Sequence, residues 1–107
     1  MITDEEIERA VDFLRVNCEE AARLKAHRVY CDEYRKSLKA LLMKEHAGES
    51  GIVQEREAYA DKRYQEHLVN IRNAVFEDEK NRAQRGAAEI KIEAWRSQQA
   101  SARAIKL

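Results

Sequence analysis

Ala47-Gly48-Glu49-Ser50-Gly51 decides how this chain folds, because it is the one stretch where turn-forming residues cluster. Two glycines supply the backbone freedom of a helix C-cap and a turn. Upstream, no Pro or Gly interrupts the chain back to its start, which predicts a helix on the order of 40 residues over 4–46. Its beginning carries a capping box, with Thr3 at the N-cap and Glu6 three residues on, while Ile2 and Ile7 take the positions of a hydrophobic staple. Downstream, a short helix over 52–59 is expected, then a break near Ala60-Asp61 with Asp61 capping a second long helix over 62–103.

Composition supports an all-α chain. Of 107 residues none is Pro and three are Gly, so helix propensity is favourable over almost every window. With 44% hydrophobic and 37% charged residues, the chain is too apolar for a disordered tail and more charged than a compact globule needs. One helical domain over 1–107 fits this length.

Charge argues for a hairpin. Residues 1–20 hold seven acids and two bases, 21–45 three and seven, 46–80 eight and five, and 81–107 two and six. Folding back at 47–51 sets acidic blocks against basic ones, which favours an antiparallel arrangement. The apolar spacing Ile7, Val11, Leu14, Cys18 and Ala21 reads as a seam that packs on another helix. A face rotated from it continues through Ala22, Val29, Tyr30, Tyr34, Leu38, Leu41 and Leu42. On the last helix Tyr64, Leu68, Ile71 and Val75 are followed by Ala83, Ala87, Ile90 and Ala94, with a mostly polar interval between. Gly86-Ala87-Ala88 leaves room for close approach of a helix, or for a bend. Two such helices enclose too little interior to hide these residues, so assembly into a homo-oligomer is expected, the alternative being a monomer whose 52–59 segment covers the open side.

Several function classes lose support. No apolar run is long enough to span a bilayer, and the acidic start does not resemble a secretory signal, so a cytoplasmic protein is expected. His27, His46 and His67 are scattered outside any ligand spacing, and neither a metal nor a cofactor is expected. There is no nucleophile elbow, phosphate loop or dinucleotide fingerprint, so the reading is non-enzymatic. Cys18 and Cys31 would face nearly opposite ways on one helix, which disfavours a disulfide between them, and Cys18 reads as a small hydrophobe in the seam.

Two basic segments are the candidate sites. Arg23, Lys25, Arg28, Arg35, Lys36 and Lys39, interleaved with Tyr30 and Tyr34, form a strip of the kind that contacts a phosphate backbone, although helical pairing of Lys36 and Lys39 with Asp32 and Glu33 accounts for part of it equally well. The stretch from Trp95 to the C-terminus has no acidic side chain; Arg96, Arg103 and Lys106 suit phosphates and Trp95 suits base stacking. The competing account packs Trp95 on the first helix and sets these bases against Asp4, Glu5 and Glu8.

Lys91-Ile92-Glu93-Ala94-Trp95-Arg96-Ser97-Gln98-Gln99-Ala100-Ser101-Ala102-Arg103-Ala104, together with Glu57-Ala58-Tyr59-Ala60 and Tyr64-Gln65-Glu66-His67-Leu68, resembles a family of small phage and prophage proteins. The ending Ser101-Ala102-Arg103-Ala104-Ile105-Lys106 and the small helical build are similar to UvsY-type phage recombination mediators. That resemblance implies an oligomer that binds single-stranded DNA and helps load a recombinase. The other function in view is a helical interaction module that docks on a host protein or builds a scaffold without nucleic acid.

Overall fold

The structure is a computed structural model that describes residues 1–106, and within them every element is a helix: α1 (Asp4–Val16), α2 (Cys18–Lys44), α3 (Gly51–Ala60) and α4 (Lys62–Lys106). The all-α class and the short middle helix are therefore observed. The chain divides into two compact units, residues 1–22 with 79–107 and residues 23–78.

Thr3 caps α1 as its sequence indicates. Its hydroxyl accepts from the Glu6 backbone N–H at 3.2 Å, and the Glu6 carboxylate accepts from the Thr3 N–H at 3.0 Å, which closes a capping box. A cap of this kind contributes about 1 kcal/mol. Asp61 does the same for α4, with its carboxylate accepting from the Arg63 N–H at 2.8 Å.

The turn differs from expectation in its mechanism. Among the described residues none, glycine included, has positive φ. Instead α2 tightens through three-residue hydrogen bonds, Glu45 N–H to Leu42 O at 3.2 Å and His46 N–H to Met43 O at 3.0 Å. Ser50 then caps α3, accepting from the Val53 N–H, and the Gln54 side chain donates to the Glu49 carbonyl at 2.8 Å. Side chains thus satisfy polar groups that a left-handed glycine would otherwise serve.

The first long helix is interrupted for one residue at Asn17, which sits at φ −79° and ψ −7° between α1 and α2. The backbone ladder bridges it, from Asn17 N–H to Phe13 O at 2.9 Å and from Ala21 N–H to Asn17 O at 2.8 Å. Asn17 Oδ1 is enclosed without a hydrogen-bond partner, a cost of about 1–3 kcal/mol.

The buried face explains why Asn17 points inward. In the first unit buried and half-buried positions of α1 and early α2 recur at Ile7, Ala10, Leu14, Asn17 and Ala21, and in the second at Leu24, Arg28, Cys31, Arg35, Leu38 and Leu42. This is an alternating 3-4 spacing, the signature of coiled-coil packing. It corrects the Val11–Cys18 seam: Val11 is 46% exposed and Cys18 is exposed, its thiol donating to the Leu14 carbonyl at 3.2 Å. Cys31 is the buried cysteine, and both thiols are free. On α4 the inward positions include Tyr64, Ile71, Ala74 and Asp78, then Asn81, Arg85, Ala88, Ile92 and Trp95. Ile90, at 71% exposure, lies outside this face, as do Ala83, Ala87 and Ala94. Gly86 has open space where a Cβ would stand, so it serves no close approach.

Packing is antiparallel within each unit. In the first, the start of α1 meets the end of α4, where the Ile2 N–H donates to Gln98 Oε1 and Trp95 Nε1 donates to Asp4 Oδ1. In the second, the end of α2 meets the start of α4, where Arg63 binds Glu45 at 2.8 Å, and α3 closes the open side. Leu42 at 3% exposure, Ala58 at 0% and Tyr64 at 7% form the tightest core, with Leu38, Met43 and Leu68 packed around it.

Candidate functional site

The basic segment of α2 does not form one face. Arg23 and Lys25, two residues apart, project roughly 200° apart around the helix. Arg28 and Arg35 occupy inward positions instead of the solvent strip. Arg28 Nη1 reaches Asp78 Oδ2 at 3.0 Å, with the Asp78 side chain 7% exposed and that of Arg28 34%. Arg35 lies 3.8 Å from Asp32, and Lys36 pairs with Glu33 at 3.3 Å, one turn away on the same helix. Lys39 binds Glu55 of α3 at 3.2 Å and sits 4.7 Å from the Tyr59 ring centroid. Hydrogen bonding to Tyr59, then to Glu55, raises the Lys39 pKa. Arg23 and Lys25 are exposed, and Arg23 also has an interaction within the chain.

The aromatics of this segment are engaged with one another. Tyr30, 65% exposed, stacks on Tyr34 at 5.9 Å between ring centroids, and Tyr34 meets His67 edge to face at 5.3 Å. The His67 ring hydrogen-bonds the Cys31 carbonyl through Nε2 at 2.7 Å, which fixes Nε2 as the protonated nitrogen. Cys31 Sγ lies 3.6 Å from His27 Nε2 one turn away. Among the described residues no three His, Cys, Asp or Glu converge to hold a metal ion.

The C-terminal segment belongs to the other unit. Trp95 is half-buried, and its indole N–H is already donated to Asp4 at 3.3 Å, the helix contact that the structural account of the sequence called for. Arg96 pairs with Glu93 at 3.0 Å on its own helix. Arg103 and Lys106 are exposed and make no ion pair among the described residues. Trp95, Arg96, Ser97, Gln99, Ala100 and Arg103 border a shallow depression of about 590 Å³ on the outer side of α4. Of the nine candidate contacts, three, Trp95, Arg96 and Arg103, therefore share this one depression, while Lys106 lies outside its lining and the α2 residues are spread around their helix.

Two ionic constellations escaped the sequence reading. The first is Arg28–Asp78, whose only signal is that Arg28 continues the 3-4 spacing of Ala21 and Leu24. The second is Arg63, which bridges Glu45 at 2.8 Å and Asp61 at 2.9 Å and so ties both ends of the α3 connection together. Hydrogen bonds from the Arg63 guanidinium and then its backbone N–H hold Asp61 down to about 2, below its ordinary 3.8. A carboxylate with a depressed folded-state pKa stabilises the fold fully above the ordinary carboxylate range. As pH falls through that range toward 2 the unfolded chain takes up the proton first, and the contribution is lost. Asp61→Asn keeps the cap without the titration. In urea unfolding at a series of pH values, the advantage of the native chain over Asp61→Asn should be constant near neutrality and disappear between about pH 4 and pH 2. No advantage over Asp61→Asn near neutrality would assign the stabilisation to the cap alone.

No helix of the described residues is long and apolar enough to cross a membrane. No protein-family model, curated protein or solved structure matches the chain.

Proposed function

We propose that this protein is a non-enzymatic helical interaction module that acts by assembling, first with copies of itself. The observation that carries this reading is the incompleteness of its own core. Among the described residues no large side chain is fully buried, whereas Val16 at 70% exposure, Phe76 at 62%, Ile90 at 71% and Ile52 at 82% lie open on the helices. Long helices with apolar side chains on several faces gain by burying them against further helices. Light scattering across a concentration range should report a species larger than the 12.5 kDa chain. A strict monomer at about 100 µM would overturn the reading.

A second reading makes the assembly an accessory of phage DNA metabolism, a mediator that contacts single-stranded DNA and presents it to a recombinase. It draws on the resemblance of the C-terminal half and on two exposed cations of the last turns, Arg103 at the Trp95 depression and Lys106 three residues on. Oligomerisation would present this pair several times along one strand. Binding to an oligonucleotide should then weaken steeply with salt, and changing Arg103 and Lys106 to Gln should flatten that dependence by about one unit per lost contact. Affinity indifferent to both changes removes this reading and leaves the first.

A further inference from the structure

The first unit carries a second stripe that its own helices do not use. Arg9, Phe13, Val16 and Glu20 follow a 4-3-4 spacing, and at 100° per residue they point roughly 110° away from the buried Ile7–Ala21 face. That offset is close to the right angle between neighbours in a four-helix bundle. Asp12 and Asn17 flank the stripe, and the six residues border a shallow surface depression of about 500 Å³. On its α4 side, Arg9 and Phe13 also line a groove of about 380 Å³ whose far wall includes Ala87, Ala88 and Lys91. The small side chains of Ala87 and Ala88 leave that wall low. The surface is thus continuous from the outer face of α1 into the cleft beside α4, within one unit.

The order of residues along the stripe says what fits it. A twofold axis passing midway between Leu14 and Arg15 sets Arg9 opposite Glu20 of the copy and Phe13 opposite its Val16. The stripe of four is therefore closed on itself. An antiparallel second copy sets cation against anion at both ends and Phe against Val at the centre, with every contact made twice. Glu20 already has an interaction within its own chain, and a carboxylate keeps lone pairs for a second cation. A parallel copy would instead set Arg9 on Arg9 and Glu20 on Glu20.

We propose that this stripe is an isologous homodimer interface, on which α1 of a second copy packs antiparallel so that two hairpins join through Phe13 and Val16 and are locked in register by reciprocal Arg9–Glu20 pairs. It rests on the self-assembly reading and names the surface responsible. Arg9 and Glu20 are exposed, so their reversal leaves the buried face intact.

Sedimentation velocity on the full chain separates this proposal from the reading beneath it. Arg9→Glu and Glu20→Arg, each placing like charges together twice per dimer, should each weaken dimerisation by about tenfold or more at low salt. The double variant Arg9→Glu/Glu20→Arg, which restores opposite signs in reverse, should return to within about threefold of the native chain. Phe13→Ala should dissociate the dimer without charge change, and circular dichroism should show native helicity in every variant that counts as a loss. A native dimer unmoved by both single reversals, or a double variant no tighter than the singles, would overturn the proposal and place another surface of the copy in the contact while self-assembly stands. A native chain monomeric at about 100 µM would overturn both.

Discussion

Arg28→Met should destabilise the protein by about 3 kcal/mol, the low end of the cost of stranding one member of a buried ion pair. The reason lies with Asp78. Its carboxylate is 7% exposed and takes a 3.0 Å charge-assisted hydrogen bond from Arg28. Without the guanidinium, a charge remains where water barely reaches. The Arg28 side chain, 34% exposed, is still partly wetted, so the native pair itself holds less than a fully buried one would. The reverse change, Asp78→Leu, should accordingly cost less than Arg28→Met. The double variant Arg28→Met/Asp78→Leu should recover most of the loss, because apolar partners at two inward positions of facing helices pack in place of the pair. Urea unfolding followed by circular dichroism measures all three. If Arg28→Met costs under about 0.5 kcal/mol, the pair behaves as an exposed contact and its inward placement has no energetic consequence.

That pair also shows how far the sequence could be read. Fold class followed from the absence of Pro, the cap at Thr3 and the 47–51 turn, each of which acts through its nearest neighbours. Asp61 was legible for the same reason, since a helix cap needs only the next two residues. The inward face was not legible from apolar residues alone. Val11 and Cys18 looked like seam residues because they are apolar at helical spacing, yet Ala10 and Asn17 take those positions. The 3-4 spacing holds only if Asn17, Arg28 and Arg35 are admitted to it, and a hydrophobicity pattern discards such residues at the outset. On α4 the equivalents are Asp78, Asn81 and Arg85, which is why its face after Val75 was placed on Ala83, Ala87 and Ile90.

The candidate basic strip failed to converge for a related reason. By residue type Arg28 and Arg35 belong with the solvent-facing bases, but their place in the repeat turns them inward. Lys39 belongs to the α3 contact through Glu55 and Tyr59, a tertiary pairing that spacing along α2 does not encode. Lys36 does pair with Glu33 at helical spacing, as the competing account held. At the C-terminal segment the charge blocks suggested bases set against Asp4, Glu5 and Glu8. The described contact from this segment to Asp4 is instead the neutral Trp95 indole.

Leu42→Ala should cost about 3 kcal/mol, more than truncation of Leu38 or Met43 on the same helix, because Leu42 is the buried α2 member of the core that α3 closes while those two are only partly buried against it. Leu42 is 3% exposed and packs with Ala58 of α3, which is 0% exposed, and with Tyr64 of α4. The space it vacates cannot collapse easily. Ala58 has no side chain to extend into the gap, and Tyr64 is held edge to face against Tyr59 at 5.2 Å. Leu42→Met, which nearly conserves volume, should cost less than about 1.5 kcal/mol, and Ile52→Ala, at a position 82% exposed, should stay within about 0.5 kcal/mol. Measured well below the concentration at which the chain associates, this ordering reports the core of a single copy. The α3 contacts should also fail first, so hydrogen exchange in Leu42→Ala should rise over Gly51–Ala60 before it rises over α4. A loss no greater than that of Ile52→Ala would mean that α3 rests on the hairpin without sealing it.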